Sequence, residues 1–282
     1  MTSKIAIVVD SACDLPDEVL RQYDMRMISL RIVYHAAEYR DRQDISSEKV
    51  YANLPTEIPK TSLPSLKDVS EIYEQLIREG VTDVVHFCVS SGLSGTYDAM
   101  RIMVQQFENK LNIRLVDTLS LSYQEGFMAL ECARKLEKGV DLDKAIEEVI
   151  HMRSHSLGAF IVQTLDYLRA GGRIGLVEGV VGKILQIKPV IYVNDQGVYQ
   201  SLAKARGYKR ALELMLKAFL DRFGQRLVNI AVVHGAAEQE GRDLLATIKG
   251  MLNVKEDSLM PVSPVLGVHT GPGLLGIIAY EV

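Results

Sequence analysis

The chain has 282 residues, a length that suits two domains better than one. Its 48% hydrophobic content is ample for sizeable cores, and a formal net charge of −4 argues against a nucleic-acid-binding protein. Cys13, Cys88 and Cys132 form an odd set with no C-x-x-C, which speaks against a disulfide framework or a cysteine zinc site and for free thiols in a reducing compartment.

The run Ile5–Val9 is too short for a signal-peptide core and meets Asp10 at once. No stretch approaches the ~18 uncharged apolar residues of a membrane helix, so a soluble, cytoplasmic protein is expected. The same run suits a strand buried on both faces of a parallel sheet. Asp14-Leu15-Pro16 reads as a helix cap with an early proline, and Met27–Val33 as a second strand. Ser65 and Asp68 have capping-box spacing ahead of a helix whose apolar face is Leu66, Val69, Tyr73, Leu76 and Ile77, ended by Gly80. Val84–Val89 is a strand, followed by a Ser/Gly-rich turn and a helix to about Phe107. Ile113–Val116 is a further strand, with helices over Leu121–Lys138 and Leu142–Arg153. This alternation predicts an N-terminal parallel-sheet α/β domain over residues 1–153.

The rhythm changes after Arg153. Ala159–Val162 reads as a strand, and Leu165–Arg169 as a short helix closed by Gly171-Gly172. Asn194-Asp195-Gln196-Gly197 is a hairpin signature between Pro189–Val193 and Val198–Ala203. Helices are expected over Tyr208–Phe223 and Ala236–Met251, and strands over Val228–Val233, Val265–Val268 and Leu275–Tyr280. Hairpins mixed with helices predict a C-terminal mixed-sheet α/β domain over residues 154–282.

Several chemical motifs fail on inspection. Gly271-Pro272-Gly273-Leu274-Leu275-Gly276 matches G-x-G-x-x-G, but a strand follows it where a dinucleotide fingerprint needs a helix. Gly182-Lys183 is no phosphate loop, because Ile184 replaces the magnesium-binding hydroxyl and Val177 the first glycine. Ser94 has Gly92 two residues before it but Thr96 two after, so a nucleophile elbow is incomplete. His151 and His155 share a helical face with no third ligand placed by spacing, and solvated histidines are the simpler reading. No catalytic residue and no metal ligand is assigned. The basic run Lys204, Arg206, Lys209, Arg210 gives way to Glu213 and Asp221, which fits a solvated or partner-docking face better than nucleic acid.

Two hydroxyl-rich stretches stand out, Lys60-Thr61-Ser62-Leu63-Pro64-Ser65 and Ser90-Ser91-Gly92-Leu93-Ser94-Gly95-Thr96-Tyr97. Each leads towards a helix, whose N-terminal N–H groups favour an anion, and the glycines permit close backbone approach to a ligand. Ser65 is accounted for by capping, whereas Thr61, Ser62, Ser91, Ser94 and Thr96 exceed what two caps require. The C-terminal half offers Arg173 beside Gly171-Gly172, Arg206 beside Gly207, and His269 before Gly271-Pro272-Gly273. A surface arginine is the commoner case for Arg173 and Arg206, and His269 could equally be a satisfied core histidine.

Taken together, these stretches resemble the DegV family of bacterial fatty-acid-binding proteins. The matching residues are Asp10-Ser11 with Asp14-Leu15-Pro16, Thr61-Ser62 with Pro64-Ser65, and Ser91-Gly92-Leu93-Ser94-Gly95-Thr96-Tyr97. Thr164-Leu165-Asp166-Tyr167-Leu168 with Gly171-Gly172-Arg173-Ile174, Lys188-Pro189, and His269 with Gly271-Pro272-Gly273 follow in family order. The resemblance spans essentially the whole chain. It implies two α/β domains with a long-chain fatty acid between them and no other cofactor. It places the carboxylate at Thr61 and Ser94, with Ser62, Gly95 and His269 nearby, and links Arg173, Arg206 and His269 to the carboxylate end or to a separate fatty acid kinase subunit that feeds phospholipid synthesis. Such a protein is a lipid-binding carrier rather than an enzyme, with at most transient membrane contact. One departure lies after Tyr39, where the family tends to have a glycine two residues past the acidic position and Asp41 is followed here by Arg42-Gln43. Tail-lining residues are not motif positions, so the resemblance carries no chain-length preference.

Overall fold

The computed structural model describes residues 4–177 and 187–282; Gly182-Lys183 lies outside them. Strands β1 (Ile5–Asp10), β2 (Arg26–Ile28), β6 (Asp83–Cys88) and β7 (Asn112–Asp117) form a parallel sheet in the order β2-β1-β6-β7. One face packs on the helices Leu66–Arg78 and Thr96–Met103, through Val69, Tyr73 and Leu76 at helical spacing and through Met100 and Met103. On the other face lies the central helix Tyr123–Glu137, buried continuously from Tyr123 to Leu130. A helix becomes buried all round only when something covers its far side. Here that cover is a second sheet, whose Tyr280 stacks on Phe127 with ring centroids 4.2 Å apart.

The second sheet has the order β10-β9-β8-β13-β11-β12, from β8 (Ser156–Ile161), β9 (Ile187–Val193), β10 (Tyr199–Arg206), β11 (Leu227–His234), β12 (Asn253–Pro261) and β13 (Leu275–Glu281). Only β11 and β12 run parallel; the other pairings are antiparallel, so the sheet is mixed, as expected. Helices Tyr208–Phe223 and Glu238–Lys249 cover its outer face. The predicted hairpin forms, with the Asn194 side chain accepting from the N–H groups of Gln196 and Val198 and Gly197 at φ 74°. Strand β12 escapes a sequence reading because it is an edge strand with little buried surface and no apolar period.

A third sheet, antiparallel in the order β4-β3-β5, contains β3 (Arg31–Val33), β4 (Glu38–Arg40) and β5 (Lys60–Ser62). It accounts for two corrections. The run Met27–Val33 is two strands in different sheets, parted where the Leu30 N–H turns to the Ser11 hydroxyl (3.1 Å) and Ser29 donates to the Asp41 carbonyl (2.9 Å). Thr61 and Ser62 lie on a strand rather than in a helix-leading loop. Ser65 makes no side-chain cap bond, and Asp68 pairs instead with Arg31. Asp14 does not cap the helix that follows it: it sits at φ 52°, and Pro16 occupies the N-cap of Asp17–Gln22.

The largest correction concerns Val265–Val268, which belong to a helix, Pro264–Thr270, with proline at its first turn. Four apolar residues do not distinguish strand from buried helix. This helix packs against the N-terminal half, on the helix Ser47–Asn53 and on β3 and β5. Its amino end is held by carboxylates from that half: Asp14 accepts from Ser263 N (2.8 Å) and Asp41 from Val265 N (2.9 Å). Asp14 also accepts from the Ser122 hydroxyl. Burial pushes Asp14 up to about 6 and Asp41 up to about 7. Arg42, at φ 62° just past Asp41, adopts a left-handed backbone and reaches the Leu15 carbonyl and the Asp17 carboxylate.

The folded chain therefore binds a proton at Asp41 between about pH 4 and pH 7 that the unfolded chain has released. This group's contribution to stability is full below about pH 4 and is lost as pH rises through about 7. Asp41→Asn keeps the acceptor for Val265 but cannot ionise. In urea unfolding, the stability of the variant relative to the native chain is expected to rise steadily from pH 4.5 to pH 7.5; a pH-independent difference would sink the assignment.

Candidate functional site

The helix Pro264–Thr270 carries His269 near its carboxyl end, against β5. There the Thr61 Oγ1 and His269 Nε2 atoms stand 2.8 Å apart. His269 is buried, and desolvation, aided by the charge of Arg173, lowers its pKa to about 4. The ring is neutral at pH 7. Its Nδ1 atom has no hydrogen-bond partner. A buried orphan N–H costs more than an idle lone pair, so the favoured tautomer carries its proton on Nε2 and donates it to Thr61. The Thr61 hydroxyl proton is then free to point elsewhere.

It faces a cavity of about 230 Å³ between the two halves. Of the residues singled out from sequence, Thr61, Ser62, Ser94, Gly95, Arg173 and His269 all line it. Arg206 does not: it is the exposed last residue of β10. The Ser94 Oγ atom lies 2.8 Å from Thr96 Oγ1 in the turn that opens the helix Thr96–Met103. The cavity thus touches a helix amino end, as expected for the second hydroxyl-rich stretch. Gly92 has a different use from the one expected. A Cβ there would stand 2.6 Å from the Gly197 carbonyl, so the glycine lets this turn press on the hairpin of the other half, where Ser90 Oγ also donates to Gly197 O (2.7 Å). Arg173 bridges the halves too, donating from Nε to the Leu93 carbonyl (3.3 Å) and from Nη1 to the Gly171 carbonyl (2.6 Å).

Leu121, Tyr199 and Leu266 form a wall of this cavity and also of an apolar slot of about 40 Å³ that runs between the sheets along β8 and β13. These wall residues carry no motif. Leu121 sits between Leu119 (φ 47°) and Ser122 (φ 56°), a strained turn that no residue type announces. His151 and His155 lie side by side in and just after the helix Leu142–Ser154, and both are exposed. Among the described residues no group of three or more His, Cys, Asp or Glu is arranged to hold a metal, and no helix is long and apolar enough to cross a membrane.

Gly171 presses directly on the His269 ring, and a Cβ at 171 would overlap it. Gly171→Ala is therefore expected to displace the imidazole from Thr61 and to cost about 1–3 kcal/mol of stability. Histidine side-chain ¹⁵N shifts and thermal unfolding check this; an unchanged His269 signal in the variant would contradict it.

The DegV family model, described as an uncharacterised protein family, matches residues 4–282. A DegV domain-containing protein of Clostridium acetobutylicum is 39% identical over 278 residues, covering 99% of both chains. A Thermus thermophilus DegV family protein, described for its fatty acid binding, superposes with a TM-score of 0.90 at 30% identity over 99% of this chain and 100% of its own. A fatty acid binding DegV protein of Bacillus subtilis gives 0.91 at 25% identity with full coverage of both. A stearic acid-binding protein of Eubacterium ventriosum gives 0.89 at 28% identity over 98% of each. By sequence match and by fold, this chain belongs to the DegV family.

Proposed function

We propose that this chain binds a long-chain fatty acid, with its carboxylate among Thr61, Ser62, Ser94, Gly95, His269 and Arg173 and its tail along the apolar slot, which widens between the sheets to admit it. The observation that carries the reading is a hydroxyl-lined cavity lying directly against an apolar slot, with only the side chains of Leu121, Tyr199 and Leu266 between them. Burying each methylene is worth about 0.8 kcal/mol, so a palmitoyl tail offers on the order of 10 kcal/mol before association costs of several kcal/mol. The head group must lose water, and the Thr61 and Ser94 hydroxyls, a helix amino end and the Arg173 guanidinium supply replacements. Relatives of solved structure that bind fatty acids support the same reading.

In this proposal the protein is a cytoplasmic carrier that presents the carboxylate to a separate fatty acid kinase, which forms the acyl phosphate. Arg206, outside the cavity, is assigned to the kinase-facing surface. The division of the chain at residues 153/154 belongs to the same reading, with the ligand between the two parts.

Protein from a bacterial host is expected to carry a fatty-acid mass increment in native mass spectrometry. Thr61→Val and Ser94→Ala should each weaken binding roughly ten- to a hundredfold, the value of a hydrogen bond to a charged group. Protein that is ligand-free and takes up no added acid would overturn the proposal. Arg206→Ala should leave fatty-acid affinity unchanged and lower acyl-phosphate formation by an added kinase; equal turnover would remove Arg206 from the partner surface.

A further inference from the structure

We infer that Gln124 closes the far end of the apolar slot and so sets the length of acyl chain the protein prefers, an inference that rests on the fatty-acid reading above. At the end away from Thr61 and His269, the slot shares Gln124, Gly158 and Val193 as walls with a second cavity of about 430 Å³. That second cavity is mixed, with Arg153, Ser154, Asp195 and Arg222 on its walls beside Leu157, Tyr192, Leu202 and Ala218. Gln124 is the partition between it and the apolar slot.

The partition is fixed in place. Gln124 is buried, and its amide nitrogen donates to Ser156 Oγ (2.8 Å), which in turn donates to the Arg153 carbonyl (2.6 Å). Arg153 is itself tied to the carbonyls of Leu119 and Asn194. A Cβ at position 158 would stand 2.6 Å from Gln124 Oε1, so the glycine on β8 is what allows the amide to lie across the strand.

An acyl chain growing along the slot gains affinity with each methylene until its methyl end meets this amide. One carbon more must break the Gln124–Ser156 bond and leave a buried amide without its partner. Beyond the amide lies the larger cavity of about 430 Å³, so a chain that passed it would find room. Removing it joins the two spaces.

The test is displacement of a fluorescent fatty acid by saturated acids from myristate to behenate, on the native chain and on Gln124→Ala, with thermal unfolding of both. In the native chain, affinity should climb by up to about fourfold per methylene and then break off. In Gln124→Ala the break should move to longer acids, and the arachidate-to-palmitate affinity ratio should rise roughly tenfold. An affinity that climbs without a break through behenate in the native chain overturns the inference. So does an unmoved break in a variant that still binds palmitate. Failure of the native chain to bind any of the acids would instead remove the fatty-acid reading itself.

Discussion

The architecture depends on two carboxylates of the N-terminal half holding the amino end of a seven-residue helix from the C-terminal half. Asp14 and Asp41 meet the N–H groups of Ser263 and Val265, two donors that no intrahelical carbonyl reaches. A helix this short has little stability of its own, so its position is set by these bonds and by its packing on β3, β5 and the helix Ser47–Asn53. About one turn further on, the same helix delivers His269 to Thr61. The site is therefore assembled by the contact between halves and exists only while that contact is made.

The same contact collects buried acids at unusual density. Asp10 accepts from Ala12 N and Val89 N, and burial raises it to about 6. Glu125 on the central helix is fully buried, neither carboxylate oxygen has a hydrogen-bond partner, and desolvation together with Asp10 and Asp14 raises it well above the usual carboxylate range. A protonated Glu125 lets the central helix pass between the sheets without carrying a charge into a dry space. On the ligand side, His269 is held neutral while Arg173 supplies the positive charge at the cavity. If the proposed carboxylate sits there, hydroxyls and one half-buried guanidinium would hold it at a smaller desolvation cost than a fully buried ion pair.

Much of the fold was legible in the residues. The apolar runs of β1 and β6, the face Val69, Tyr73, Leu76 and the Asn194–Gly197 turn each state one structure unambiguously. What stayed hidden had physical reasons. Val265–Val268 is too short for its period to show, and β12 is too polar to look like a strand. Asp14 resembles a cap until the position of Ser263, some 250 residues on, gives it another partner. For the proposed site, the hydroxyls, His269 and Arg173 could be picked out because binding an anion would need particular atoms, and these residues line one cavity. The slot could not, because any apolar side chain can line it, and only the strained turn at Leu119–Ser122 and the packing of two sheets decide which ones do.

The central helix Tyr123–Glu137 has one more implication. Its residues Phe127, Met128 and Ala129 belong to a single core with Ile7, Val85 and Phe87 from the parallel sheet and Val233, Ile278 and Tyr280 from the mixed one. Neither half owns this helix, and separating them would expose an apolar cylinder to water on one side or the other. The halves are thus expected to hinge only slightly without melting, and the molecule to denature as one cooperative unit although its strands lie in separate sheets. Truncation at the junction would yield an aggregating fragment rather than a working module.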